Sequence, residues 1–281
     1  MALTTSYERV DLLPIVKAYP NLSRQYGEVS CIAALTLGGL DRPEWLRLYP
    51  VPFRTLDEGR QFTKYQPISA RIATHSGDSR PESRRVDADS IEPAGAPMDT
   101  RDGWRARRAV VEPVMDDSMC GIQARQRDQG QSLGMFRPAE VDDVVIEAVE
   151  KDPRKSEDAD AWAAQGSLLD AGADRTSERK ALEQIPFRFK YRYRCAHPAC
   201  NGHEQSLVDW EVAQFFRRIR HAGNWRELLR EKWVGELCAP SRDTAFIVGD
   251  QHQHPGGFLV LGVWYPPKQD QQLGLGDLSD V

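Results

Sequence analysis

The 281-residue sequence has few cysteines and methionines, five of each, and its charge is nearly balanced, 37 Lys plus Arg against 42 Asp plus Glu. A net charge of -5 excludes a uniformly basic nucleic-acid coat protein but leaves room for a local basic groove. No apolar run approaches the ~18 residues of a membrane span. The N-terminus lacks the charged, apolar, small-residue order of a signal peptide, so the cytoplasm is the expected location. There is no P-loop, dinucleotide fingerprint, HExxH or GxSxG, so nothing calls for an organic cofactor. The cysteines at 31, 120, 195, 200 and 238 are odd in number and scattered save for one close pair. That pattern suits reduced thiols and a metal site better than a disulfide framework.

What is present is enough for a core: 40% apolar residues, with nine Phe, eight Tyr and seven Trp. The length suggests two compact units at roughly 150 residues each. Val10–Tyr19, Gly27–Leu35, Glu44–Tyr49 and Tyr65–Thr74 read as short strands, which together predict a curved sheet or small β-barrel, OB-like or otherwise. Residues 75–98 are rich in Ser, Asp, Arg, Pro and Gly and read as a loop or extended edge. Met115–Gln129 reads as a helix. So does Ala139–Glu150, where Val141, Val144, Val145 and Ala148 form one stripe. Residues 140–184 carry 13 acidic and six basic residues and suggest a flexible connector. The expected class is therefore α+β: an N-terminal β-rich unit over 1–150, a connector over 151–185, a C-terminal helix/strand module over 186–268 and a loose tail over 269–281.

The clearest strand is Phe187–Arg194, in which aromatics and cations alternate for eight residues, so one face is aromatic and the other cationic. Helices are expected over 207–220 and after Asn224, and strands over 245–248 and 257–264. Arg188, Lys190, Arg192 and Arg194, joined by Arg217 and Arg218, predict a phosphate-gripping surface; residues 186–232 hold ten basic and five acidic residues. The alternative is a solvated strand face. Tyr49, Phe53 and Arg54 lie on a proline-stiffened strand exit and can stack on a base or hold a phosphate, or simply form a core corner. Lys17 and Tyr19, ahead of Pro20, carry the same two readings.

Cys195, Cys200 and His203 have the spacing of a loop closing on zinc, with Cys238 or His197 as fourth ligand and a structural role for the ion. Asp209 and Glu211, at the start of a helix, either complement its dipole or serve beside a cationic groove as a carboxylate that orients water or stabilises charge on a sugar. On a regular helix they do not share a face, so at most one should point into a given site. Glu112, Asp116 and Asp117 are candidate metal ligands, with helix capping as the plainer reading for the aspartates. His252 and His254 are too weak a pair to define a site.

Lys17–Pro20, Tyr26–Cys31, Trp45–Arg54, Ser132–Gly134 with Pro138, Cys195–His203, Asp209–Glu211 and Phe258–Lys268 together resemble a family of bacterial proteins from phage-defence neighbourhoods. Within that setting the chain is similar to anti-phage DNA glycosylases acting on glucosylated hydroxymethylcytosine. The resemblance implies a substrate class, DNA bearing a bulky modified base that must be extruded into a pocket, and carries no catalytic residue with it. Three functions are open: a DNA glycosylase using Asp209 or Glu211, a non-catalytic reader of modified or single-stranded nucleic acid, and a metal-dependent nuclease.

Overall fold

A computed structural model describes residues 6–23, 27–38, 42–149 and 183–269. The connector read at 151–185 is thus described only at 183–185, and the tail only at residue 269. The architecture is mixed α+β, as expected. Strands β1 (Glu8–Lys17), β2 (Asn21–Ser23), β3 (Gly27–Thr36), β4 (Trp45–Val51), β5 (Ile68–Thr74) and β6 (Ser83–Pro93) form one sheet. Pairing of β1 with both β3 and β5 closes five of them into a barrel, with β2 attached outside on β3. The closed order β1-β3-β4-β6-β5, with β4 and β6 parallel, matches the Greek-key connectivity of OB-type barrels.

Residues 83–93, read from sequence as loop or edge, are an inner strand of this barrel, hydrogen-bonded to β5 on one side and β4 on the other. Their polarity misleads because the barrel needs only one apolar face. Val86 and Ile91 point into the interior, while Arg85, Asp89 and Glu92 face solvent. β1 and β3 show the converse. Leu12, Ile32 and Ala34 fill the barrel, whereas the alternate residues Leu13, Ile15, Ala33 and Leu35 are buried outside it. A strand covered on both faces has no reason to alternate, hence the continuous apolar run.

The outer face of β1 and β3 packs on a second sheet of β7 (Leu133–Phe136), β11 (Ala245–Gln251) and β12 (His254–Trp264), ordered β12-β11-β7. A third sheet holds β8 (Pro138–Ala148), β9 (Phe187–Cys195) and β10 (His203–Ser206), with β9 central. Residues 133–148, placed above in the N-terminal unit, therefore pair with strands of the C-terminal half. Helices α1 (Arg101–Val111), α2 (Met119–Gln129), α3 (Trp210–Ile219) and α4 (Trp225–Arg230, running into a π-helical turn at Glu231–Glu236) complete the fold. No helix among the described residues is long and apolar enough to cross a membrane.

Residues 138–148 correct a helix expectation. The stripe Val141, Val144 has helical spacing, but β8 carries a bulge between Val141 and Asp143. The extra residue shifts the phase of the strand, so that Val141, Val144 and Ile146 all face the aromatic side of β9, opposite Tyr193, Tyr191 and Phe189. A bulged strand thus imitates a three-residue helical step. α1 had no signal in the sequence reading. Its residues Asp102, Gly103 and Trp104 take left-handed backbone conformations before regular helix proceeds from Arg105.

Candidate functional site

The seam between barrel and C-terminal half contains a pocket of about 330 Å³ lined by Lys17, Lys64, Tyr65, Trp104, Arg107, Trp210, Glu211 and Tyr265, among others. Its aromatic wall is one packed unit. Trp104 stands edge-on to Tyr265 at 5.3 Å and to the fully buried Trp264 at 5.0 Å, and Tyr65 lies 5.9 Å from Trp264. Arg107 spreads over the Tyr65 and Trp104 rings at 4.1 and 4.8 Å, and donates from Nε and Nη2 to the Met98 carbonyl.

Tyr65 and Trp104 share a rarer property. With φ of 62° and 67°, they are two of three non-glycine residues with positive φ among the described ones, and both line the pocket. A bulky side chain in this region is strained by of order 1–3 kcal/mol and persists only where its surroundings over-determine it. At Tyr65 the N–H donates to Pro14 O at 2.7 Å and the carbonyl accepts from Met98 N at 2.8 Å. Barrel and following segment together hold the ring in place.

Asp209 is the N-cap of α3: its Oδ1 accepts from the Glu211 N–H at 2.9 Å. Both carboxylates also reach one amine, Lys64 Nζ, at 3.1 Å from Asp209 Oδ2 and 3.1 Å from Glu211 Oε1. The two carboxylates converge on Lys64 although helical periodicity would separate their faces, while Glu211 alone of the two lines the pocket. A cap residue has extended backbone (φ -63°, ψ 136°), so helical periodicity does not govern where Asp209 points. Asp209 is buried beneath Lys64, while Glu211 is half exposed and faces the pocket. Room for Asp209 comes partly from Gly262, where a Cβ would stand 3.3 Å from Asp209 Oδ2.

Burial raises the Asp209 carboxyl to about 6, against the opposing pull of Lys64. Burial alone would depress Lys64, but Asp209 and Glu211 outweigh it and hold the ammonium firmly protonated. Lys17 differs. Burial and then the neighbouring Lys64 lower it to about 8, and its Nζ donates to Phe62 O at 3.1 Å, above the Phe53 ring at 3.8 Å.

The other expected nucleic-acid residues are distributed elsewhere. The cationic face of β9 exists as predicted but is flanked by acids. Lys190 pairs with Glu147 and Glu204, Arg192 pairs with Glu204, and in the ladder Arg188 stands opposite Glu147 and Arg194 opposite Glu140. Arg217 binds Tyr19 Oη at 2.6 Å and Glu183, and Arg218 lies over the Phe215 ring. Arg54 pairs with the buried Glu28 at 2.6 Å. Phe53 packs edge-on against Phe62 behind Lys17, and Tyr49 lies beside His75, 6.3 Å away.

A second constellation lies at the far end of β9. The ligand atoms of Cys120, Cys195, Cys200 and His203 are all within 4.8 Å of one another, a group that can hold a metal ion. Cys120 Sγ is 3.6 Å from both Cys195 Sγ and His203 Nε2. Four ligands 2.0–2.3 Å from a tetrahedral centre are separated by about 3.5–3.8 Å, so the set fits such an ion. Backbone amides of Cys195 and Gly202 approach Cys200 Sγ at 3.4 Å, as donors to a thiolate do. Burial opposes ionisation of Cys195, but hydrogen bonds from the Cys120 and His197 backbones and from His203 bring it to about 6.

The fourth member of the group is Cys120, in the first turn of α2, and not Cys238 or His197. Cys238 is drawn away by the Trp233 carbonyl, to which its thiol donates at 3.3 Å, and its thiol is pushed up to about 12 by burial. The His197 ring caps its own loop through the Ala199 N–H. Glu112, Asp116 and Asp117 are not part of any metal-competent group among the described residues. Asp116 accepts from Met135 N and binds Arg125, and Glu112 binds Arg108. Sequence reasoning also missed Lys64, Tyr65, Trp104, Arg107 and Tyr265, since no local pattern distinguishes a pocket wall assembled from five separate segments.

No curated protein matches the chain. Residues 8–113, which contain the barrel and α1, match a family model described as a domain of unknown function, DUF8758. Residues 114–278 match a second, also described as a domain of unknown function, DUF8757. The pocket draws Lys17, Lys64, Tyr65, Trp104 and Arg107 from the first region and Trp210, Glu211 and Tyr265 from the second, whereas all four residues of the Cys/His cluster belong to the second. Matched over more than half its length, the chain belongs to the DUF8757 family.

Proposed function

We propose that the protein is a DNA glycosylase that accepts an extruded, modified nucleotide in the seam pocket and hydrolyses its N-glycosidic bond. The observation that carries this reading is a carboxylate, Glu211, presented to an aromatic-walled pocket by a buried lysine–aspartate pair. Tyr265, half-buried on the pocket wall, offers ring surface for a base removed from its stack, backed by Trp104 and Tyr65, which lie buried beneath Arg107. Arg107 and Lys17 offer donors to its polar substituents or flanking phosphate.

In the reaction the C1′–N bond breaks and its electron pair leaves on the base, and a water oxygen then bonds to C1′. Glu211 takes the proton from the attacking water, and its charge stabilises the cationic sugar between the two events. Lys64, anchored by Asp209, is a positioning residue that fixes the Glu211 carboxylate. A barrel of OB-type connectivity agrees with nucleic acid as partner, because such barrels use the loop between their first two strands for oligonucleotides. Here that loop brings Tyr19 into a stack with Trp210 of the pocket lining, 5.6 Å away.

We further propose that the Cys/His cluster holds zinc. Cys120, Cys195, Cys200 and His203 would complete its coordination, leaving the ion a brace between α2, β9 and β10 with no part in the reaction. Incubation of the protein with glucosylated phage DNA and with unmodified DNA tests the main reading. Free base and alkali-labile breaks in the modified DNA alone support it, and their loss in Glu211→Gln assigns the carboxylate. Tight binding without base release would favour a reader of modified DNA instead.

A further inference from the structure

The pocket holds two lysines in opposite situations. Lys64 is clamped between two carboxylates, so its nitrogen has no free electron pair. Lys17 lines the same pocket with a single hydrogen bond, to Phe62 O, and makes no ion pair among the described residues. Its amine is largely buried beside the ammonium of Lys64, and both disfavour a second cation there, although the Phe53 and Phe62 ring faces beneath it attract one. A desolvated amine beside another cation is the arrangement that makes lysine a nucleophile toward carbonyl carbon.

Resting on the reading that a deoxyribose enters this pocket, we propose that Lys17 is a catalytic residue for a second activity, cleavage of the DNA strand at the abasic sugar through a Schiff base. The Lys17 nitrogen adds to the C1′ aldehyde of the ring-opened sugar, and the carbonyl oxygen leaves as water, giving an imine. Glu211 then removes a proton from C2′. The released electron pair forms the C2′–C3′ double bond and expels the 3′ phosphate oxygen with its own pair. Water hydrolyses the imine and returns the free amine, so the sequence balances with water as the sole co-reactant. The acids facing Lys17 are Glu211 and Asp209, both held by Lys64, which leaves Lys17 unpaired while keeping a base within the same pocket.

The test uses an oligonucleotide with a preformed abasic site, incubated with the full-length protein and cyanoborohydride, which reduces imines to stable amines. The expected result is a covalent protein–DNA adduct that peptide mass spectrometry maps to Lys17. Lys17→Arg, which preserves charge and bulk but cannot form an imine, should lose it while melting like the parent protein. Absence of an adduct, its persistence in Lys17→Arg, or its mapping to another lysine would overturn the proposal. Because the abasic site is supplied, the outcome is independent of base release: an adduct without glycosylase activity retains the Schiff-base chemistry and removes the glycosylase reading, and base release without an adduct does the reverse.

Discussion

Lys64, in the connection between β4 and β5, donates across the seam to Asp209, the cap of α3, at 3.1 Å. Both groups are almost completely buried, so each is the other's compensation for lost hydration. The contact joins the regions matched by the two family models and at the same time orients the pocket carboxylate Glu211.

Lys64→Met should therefore leave a buried, unpaired carboxylate and destabilise the protein by about 3–5 kcal/mol in urea denaturation. Adding Asp209→Asn to it should recover more than half of that loss, since neither charge is then stranded. A single-variant cost below about 1 kcal/mol would mean that water reaches the pair.

Acid titration gives a second check. The folded Asp209 titrates near 6, above its ordinary 3.8, so between these values the folded protein holds a proton that the unfolded chain releases. Stability from this group is therefore present at low pH and declines as pH rises through the window. Asp209→Asn removes the slope. Relative to the parent it should gain on the order of 2 kcal/mol between pH 4 and pH 7, read from urea midpoints at intervals. Base release should move the other way, falling as pH drops below about 6, because a protonated Asp209 loosens Lys64.

For the Cys/His cluster, elemental analysis of purified protein should find close to one zinc per chain, and Cys120→Ala should abolish it. Cys238→Ala should retain the metal. A strong chelator should lower the melting temperature of the parent and leave Cys120→Ala unmoved, because binding energy at a closed site is folding energy. Metal retained by Cys120→Ala but lost from Cys238→Ala would reverse the ligand assignment.

The cationic face of β9 makes a prediction about what does not matter. Charge reversal at Arg192 and Arg194 should change DNA affinity by less than about twofold at moderate salt, since Glu204 and Glu140 already stand beside them. Arg107→Ala, at the pocket, should weaken binding of modified DNA by about tenfold or more, with equilibrium titration as the readout. A large loss from the β9 reversals would restore that face as the groove.

Particular residues show how far local pattern carries. The alternation Phe187 to Arg194 specified a strand and which face was buried, because period two admits one assignment. It said nothing of what lay beside Arg192, for the neighbours β8 and β10 come from residues about 50 positions before and 12 after. Reading β8 as helix hid its acids from the stripe they neutralise. In the Cys/His cluster, Cys195, Cys200 and His203 were legible because they share a loop. Cys120, 75 residues earlier, joins them only because α2 packs against the end of β9.

By itself, the sequence determined the α+β class, most of the strands, three of the four cluster ligands and the carboxylates at the start of α3. All of these rest on local backbone preference and short spacing, which a chain carries wherever it goes. The tertiary structure alone decided that β1 and β3 are buried on both faces, that Cys120 completes the cluster and that Lys64 holds both carboxylates. It alone gathered Lys17, Tyr65, Trp104, Arg107 and Tyr265 into one pocket. Those facts depend on barrel closure and on which surface the closed barrel buries, a global minimum over apolar area and charge pairing that no window of neighbouring residues contains.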